Sequence, residues 1–199
     1  MERTRVAVLD GAVRAVEKHG ARRATMSDIA TLAGIAKGTL YNHFRAKEAV
    51  YAAAVDGGVR TLAAECALVA REDLADALAL AADRLGSHPA LRRIAGDEPA
   101  TLAALTTIGE APPWLAARES VREVLAAADR DSSDTSIDVV LRWLVSFIGS
   151  PGRGVESQAG LLAAAVPAAA VVESVEVDPV ASVPVPPVAR IPGEQQLQF

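Results

Sequence analysis

Apolar residues recur at intervals of three and four from the start of the chain. Val6, Leu9, Val13 and Val16 make one stripe and predict a first helix over about Thr4–His19, closed by Gly20. Ile29, Ala30 and Ala33 make a second, shorter one. Leu40 and Phe44, one turn apart, mark the inward side of a third helix from about Lys37 to Phe44. Thr25 and Asp28 open the second helix as a capping box: the Thr25 hydroxyl accepts from the amide of Asp28, and the Asp28 carboxylate reaches back to the amide of Thr25. Gly34 closes it, at a position where a residue without Cβ takes the left-handed conformation cheaply. Ala30 is small where the two short helices must cross. Cap, glycine turn and small crossing residue together predict a helix-turn-helix.

The helical pattern continues beyond it. A fourth helix starts near Lys47 and carries Val50, Tyr51, Ala54 and Val55 along one side; Gly57-Gly58 interrupts it before Leu62 and Leu68 resume the pattern. Each glycine inside a helix costs about 1 kcal/mol relative to alanine, so the pair reads as a bend, a hinge or a weak stretch. Leu74, Leu78 and Leu85 make a fifth helix ending at Gly86-Ser87-His88-Pro89, and shorter pieces follow around Ala90–Ile94 and Ala100–Ile108. Pro112-Pro113 starts a helix with Trp114, Leu115, Val121 and Leu125, which stops in the polar run Asp129–Asp134. Ile137, Val140, Leu141, Leu144, Val145 and Ile148 then form a broad apolar face, with Trp143 and Phe147 on an adjoining one, up to Ser150-Pro151-Gly152. Val155 to about Val166 offers Leu161, Leu162 and Val166 among alanines. Helices apolar over most of their circumference must be buried on more than one side.

Pro167 breaks the last helix, and five of the eleven prolines lie beyond Val172 with valine alternating. An extended, polyproline-like tail is expected there, with an edge strand as the second option. The fold class is therefore all-α: a helix-turn-helix head over 1–46, a helical body over 47–172, and an extended or disordered tail over 173–199.

Composition sharpens this picture at one point, the charge. The 199 residues carry a formal net charge of −5, which argues against nucleic acid until its distribution is read. Residues 1–60 hold ten Lys and Arg against six Asp and Glu, a balance of +4; residues 61–199 hold ten against nineteen, a balance of −9. A basic head on an acidic body suits a chain that meets phosphate with one end. The single cysteine, Cys66, excludes an internal disulfide and fits a reducing cytoplasm. No uninterrupted apolar stretch reaches the roughly 18 residues of a membrane helix, and no signal peptide is legible. The expectation is a cytoplasmic chain without a membrane partner.

Catalytic chemistry finds no support in the inventory. His19, His43 and His88 lie far apart, there is no HExxH or CxxC, and no glycine-rich phosphate loop follows a strand. Catalytic residues, metal ligands and cofactors are all expected to be absent. The third helix offers something else. With Leu40 and Phe44 inward, Gly38, Tyr41 and Asn42 turn outward, with Thr39 and His43 on a flank. Lys37 and Thr39 stand at its N-terminus, where free amides favour phosphate, and Lys47 adds a cation beside the same surface. Arg22 and Arg23 read equally well as phosphate clamps and as ordinary surface charge.

The stretch GIAKGTLYNHFRAKEAVY resembles the DNA-binding signature of the tetracycline-repressor (TetR) family of bacterial transcription regulators. The matching residues are Thr25, Asp28, Ile29, Ala30, Ala33, Gly34, Gly38, Thr39, Leu40, Tyr41, His43, Phe44, Lys47 and Glu48. The resemblance covers about the first quarter of the chain. One departure is Ala36, where the family often has a Ser or Thr that caps the recognition helix and touches backbone phosphate. What the resemblance implies is a homodimeric, ligand-responsive regulator, a repressor released from double-stranded operator DNA by a small molecule. DNA contacts would come from Thr25, Lys37, Gly38, Thr39, Tyr41, Asn42, His43 and Lys47. An effector pocket would lie in the body, with Leu62, Cys66, Leu78, Leu85, Leu105, Ile108, Trp114, Leu115 and Leu125 as lining candidates and an apolar effector. The dimer seam would use Ile137, Val140, Leu141, Leu144, Ile148, Leu161 and Leu162, paired with a second copy as a four-helix bundle. The alternative is a helical adaptor that binds a protein partner and no longer binds DNA.

Overall fold

In the computed structural model, which describes residues 2–149 and 152–169, the expected box at the head is formed in both directions. Thr25 Oγ1 accepts from the Asp28 amide at 3.2 Å, and Asp28 Oδ2 accepts from the Thr25 amide at 2.9 Å. It starts α2 (Met26–Ala33), which ends at Gly34 in the left-handed region with φ of 68°. Before it runs α1 (Glu2–His19) and after it α3 (Lys37–His43). The helix-turn-helix is thus present, with Phe44 as the residue that ends α3.

Of the expected stripe of α1, Val16 is buried, Leu9 and Val13 are half-buried and Val6 is 58% exposed, while Val8, Ala12 and Ala15 are buried besides. The reason lies at the crossing with α2. A Cβ on Gly11 would stand 2.7–2.9 Å from Ala33, so the helices approach along a line of glycine and alanine rather than along the branched residues. Val8, Ile29, Leu40 and Val50 fill the space beneath.

From here α4 (Lys47–Ala70) runs as one helix of 24 residues, continuous through Gly57-Gly58. Its buried line is Val50, Ala63, Cys66 and Ala70, and Leu68 points to solvent. The body adds α5 (Leu74–Ser87), α6 (Pro89–Asp97), α7 (Pro99–Thr106), α8 (Pro112–Ala127), α9 (Asp134–Gly149) and α10 (Val155–Ala165). Proline stands in the first turn of α6, α7 and α8, where its missing N–H leaves no bond unmade. Helix α4 packs along α8 and α5, α10 and α9 pack on α5, and α1 reaches the body through α4 and α6. No strand occurs among the described residues; the single bridge pairs Arg130 with Ala168 just after α10. The Pro/Val-rich tail expected over 173–199 lies outside the described residues.

Ile137, Val140 and Leu141 turn out to be interior residues of this chain, packed with Leu78 and Leu125 in the main body cluster. The expectation that they meet a second copy is corrected: α9 turns this face to α5 and α8 of its own chain. Leu144, Ile148 and Leu162 are half-buried, and Leu161 is 75% exposed.

Candidate nucleic-acid interface

Leu40 and Phe44 anchor α3 to the head, both buried. That fixes the roll of the helix and puts Lys37, Gly38, Tyr41, Asn42 and His43 on the exposed side, with Thr39 half-buried. Tyr41 is 46% exposed, and the Lys37 ammonium lies 6.0 Å from its ring, so cation and phenol share one surface. Residue Ala36 precedes the helix without a side-chain cap, as its methyl side chain requires. Thr25 is exposed at the start of α2, and its hydroxyl also donates to Asp28 Oδ2 at 2.6 Å. These bonds hold the Asp28 carboxyl below its ordinary value.

Lys47 departs from the arrangement expected of it. Its ammonium donates to the carbonyls of Ala21, Arg22 and Ala24 at 3.2, 2.8 and 3.2 Å, which occupies all three of its N–H groups. It is a staple for the connection between α1 and α2, not a free cation beside α3. Tyr51, one turn on, donates to the Ala21 carbonyl at 3.1 Å. Its hydroxyl is pushed up to about 12, first by burial and then by nearby carboxylates, of which Glu98 is the foremost. Arg22 and Arg23 are exposed, and the Arg23 Nε donates to the His19 carbonyl at 3.1 Å. Sequence spacing missed Arg5, whose guanidinium stands 5.7 Å from the Phe44 ring beside the end of α3. It also missed Glu98, since no local pattern links residues so far apart.

The nine residues expected to line an effector pocket do not enclose one space. Cys66, Leu78 and Leu125 are core, Leu62 and Ile108 pack against them, and Leu105 belongs to a different cluster with Val16, Ala90 and Ile94. Leu85 and Trp114 are half-buried, and Leu115 lies half exposed. Ala63 and Ala70 of α4 and Ala77 and Ala81 of α5 are buried in the same core cluster. Two open concavities occur elsewhere. One of about 800 Å³ lies between the α1–α2 connection and α6, lined by His19, Arg22, Arg93 and Glu98 among others. The other, of about 450 Å³, is lined by Thr106, Thr107, Ile108, Arg142 and Val145; Ile108 alone of the nine reaches it.

Residues 8–54, which hold this surface and the whole helix-turn-helix, match the model of the bacterial regulatory proteins of the tetR family. Beyond the head, an uncharacterized HTH-type transcriptional regulator of Mycobacterium tuberculosis H37Rv, Rv1255c, is 31% identical over 167 residues, 78% of this chain and 80% of that one. The chain belongs to the tetR family. As a TetR-family member it is a transcriptional regulator with a DNA-binding domain. The HTH-type regulator TtgR of Pseudomonas putida is 40% identical over 55 residues, 28% of this chain and 26% of that protein. The fold extends through the body as well. The TetR family repressor AlkX from Dietzia sp. strain DQ12-45-1b superposes with a TM-score of 0.61 at 22% identity, over 79% of this chain and 90% of that one. No helix among the described residues is long and apolar enough to cross a membrane.

Proposed function

We propose that this TetR-family regulator is a homodimeric repressor that reads double-stranded operator DNA through the exposed face of α3 and is released by a small apolar molecule. The observation that carries the reading is the roll of α3: Leu40 and Phe44 are locked inside, which commits Lys37, Tyr41, Asn42 and His43 to one outward surface. Tyr41 and Lys37 hold phosphate in this reading, and Asn42 and Thr39 approach base edges. A body of predominantly apolar interior supports an apolar effector, since Glu98, Ser120 and Ser136 are its buried polar residues among those described.

The dimer seam is placed on the outer side of α9 and α10. Val139 and Trp143 stand one turn apart on α9, and the Trp143 indole donates to Gln158 on α10 at 3.2 Å. One turn further along α10 stands Leu161, so an apolar strip crosses both helices, with Val139 and Leu161 exposed and Trp143 half-buried between them. Leu161→Glu should separate the subunits in sedimentation, because it would put an unpaired carboxylate at the centre of the strip. A variant that stays dimeric would move the seam elsewhere.

The experiment that tests the main reading is a gel shift with DNA from upstream of the chain's own gene against random duplex. Asn42→Ala should lose about 1–3 kcal/mol on the preferred site and little on random DNA. Equal losses on both would remove Asn42 from base reading, and no preference in the wild type would sink the repressor.

A further inference from the structure

Between α1 and α2 the chain Ala21–Ala24 has backbone groups of both polarities engaged. Its carbonyls are held from α4 by Lys47 and Tyr51. Its one amide contact with the body comes from 76 positions further along: the Arg22 N–H donates to Glu98 Oε1 and Oε2 at 3.2 and 3.3 Å. Glu98 lies at the junction of α6 and α7 and is only 8% exposed. Thr101 donates to its Oε2 at 2.8 Å and fixes the carboxylate toward the head. Neighbouring Arg93 pairs with Asp97 instead, at 2.7 Å.

The approach is made possible from the other side by Gly20. A Cβ there would stand 2.3 Å from Glu98 Oε1, and Gly20 adopts φ of +82° besides. A buried carboxylate is expensive unless its acceptors are filled, and here the filling donors are a head amide and a body hydroxyl. Rotating the head away would cost the acid both contacts with the Arg22 amide and leave Thr101 as its donor.

We propose that Glu98 is a positioning residue for DNA recognition: it latches the α1–α2 connection to the body and so sets the angle at which α2 and α3 meet DNA. The inference rests on the reading of α3 as the DNA-contacting helix. Two heads must reach half-sites about 34–36 Å apart, so only a fraction of head orientations is competent for the operator. Apparent operator affinity falls in proportion to that fraction, whereas non-specific phosphate binding does not depend on it.

The test uses the full chain. Exchange of the Arg22 amide is followed alongside fluorescence anisotropy on the upstream fragment and on random duplex at several salt concentrations. Glu98→Ala should speed exchange at Arg22 and weaken the upstream fragment about tenfold, with random-duplex affinity and salt slope unchanged. Glu98→Gln keeps an acceptor oxygen and should stay within about threefold of the wild type. Thr101→Val, which frees the carboxylate without touching the head, should shift both readouts in the same direction by less. The latch is overturned if Glu98→Ala frees the Arg22 amide yet binds the upstream fragment as the wild type does, or if both DNAs weaken alike. Should Glu98→Ala fail to fold, Thr101→Val decides: faster exchange at Arg22 with full operator affinity overturns the latch. A wild type with no preference for the upstream fragment defeats the underlying reading instead, which distinguishes the two failures.

Discussion

The head and the body bury alanine in quantity, yet different things hold them in place. In the head, the turns on either side of α2 are fixed by polar or backbone devices: the Thr25–Asp28 box, Gly34 in the left-handed region, and the Lys47 ammonium on three carbonyls. Four large side chains, Val8, Ile29, Leu40 and Val50, are fully buried beneath. In the body, α4, α5 and α10 meet through Ala63, Ala70, Ala77, Ala81, Ala159 and Ala163, and Leu125 and Ile137 supply the bulk. The lesson concerns what each region can present. A small core locked by directional bonds can hold four exposed side chains, Lys37, Tyr41, Asn42 and His43, on one helix at fixed positions. Helices packed through methyl groups have shallow interlocking, so they can slide, and a cavity absent in one arrangement can open in another.

The largest effect should come from testing whether the two regions are also separate folding units, with the boundary near Lys47. Leu40→Ala empties the centre of the head and should cost about 2–5 kcal/mol. Hydrogen exchange should then show protection lost in α1–α3 and kept in α5, α8 and α9. Leu125→Ala is the mirror experiment, of similar cost, with protection lost in the body first. If either substitution removes protection from both regions alike, the comparison fails and the chain unfolds as one unit.

Lys47 separates structure from DNA contact more finely. With its three donors spent on carbonyls, Lys47→Met should cost the head about 1.5–3 kcal/mol in thermal stability. The salt slope of DNA binding should not change. A phosphate contact would behave the other way, lowering the slope by about one unit with little loss of stability. Denaturation and a salt series on the same variant decide between them.

These two substitutions also show where the sequence could be read and where it could not. Capping box, turn glycine and the inward pair Leu40 and Phe44 depend on neighbours three or four residues apart, and all stand as the local pattern predicts. The family resemblance was carried by those same residues. On α1 the expected stripe missed Val8, Ala12 and Ala15, because a close crossing at Gly11 brings small residues inward that carry no mark of burial. In α4 alanines are spread around the helix and blur its orientation; Leu68, expected to continue the apolar pattern, is exposed. Ile137, Val140 and Leu141 read as a seam because apolar residues do not announce whether their partner is the same chain or another. The Lys47 staple and the Glu98 contact join residues 23 to 76 positions apart, beyond any local rule.

A smaller effect is expected at Gly57-Gly58, which α4 passes through unbroken. A Cβ on Gly57 would meet Leu9 Cδ1 at an ordinary 3.6 Å, and one on Gly58 would meet nothing within 4 Å. Each alanine should therefore stabilise the helix by about 1 kcal/mol, additively. A destabilised double variant in thermal melting would show that the helix bends there in solution and that head and body are joined by a joint rather than a rod.

The most delicate comparison uses one titrating group from each region. Burial raises both: Tyr51 of the head-to-body seam to about 12 from 10.0, and Cys66 of the body core to about 11 from 9.0. A group raised in the folded state contributes stability that is fully present below its unfolded value and lost as pH rises through the folded one. Tyr51 should thus hold the seam up to about pH 10 and release it towards 12, and Cys66 should act on the core from about 9 to 11. Their second causes differ. For Tyr51 it is the Glu98 carboxylate across the seam; for Cys66 it is its neighbour Glu65, partly offset by Arg84. Removing one acid should therefore move one group only. In a Tyr41→Phe background, which leaves Tyr51 as the sole tyrosine, near-ultraviolet tyrosinate absorbance reads the first and thiolate absorbance the second. Glu98→Ala should lower the Tyr51 value and leave that of Cys66 in place. Movement of both would mean that Glu98 supports the packing of the body as a whole, and an unmoved Tyr51 would mean that the carboxylate does not face the seam in solution.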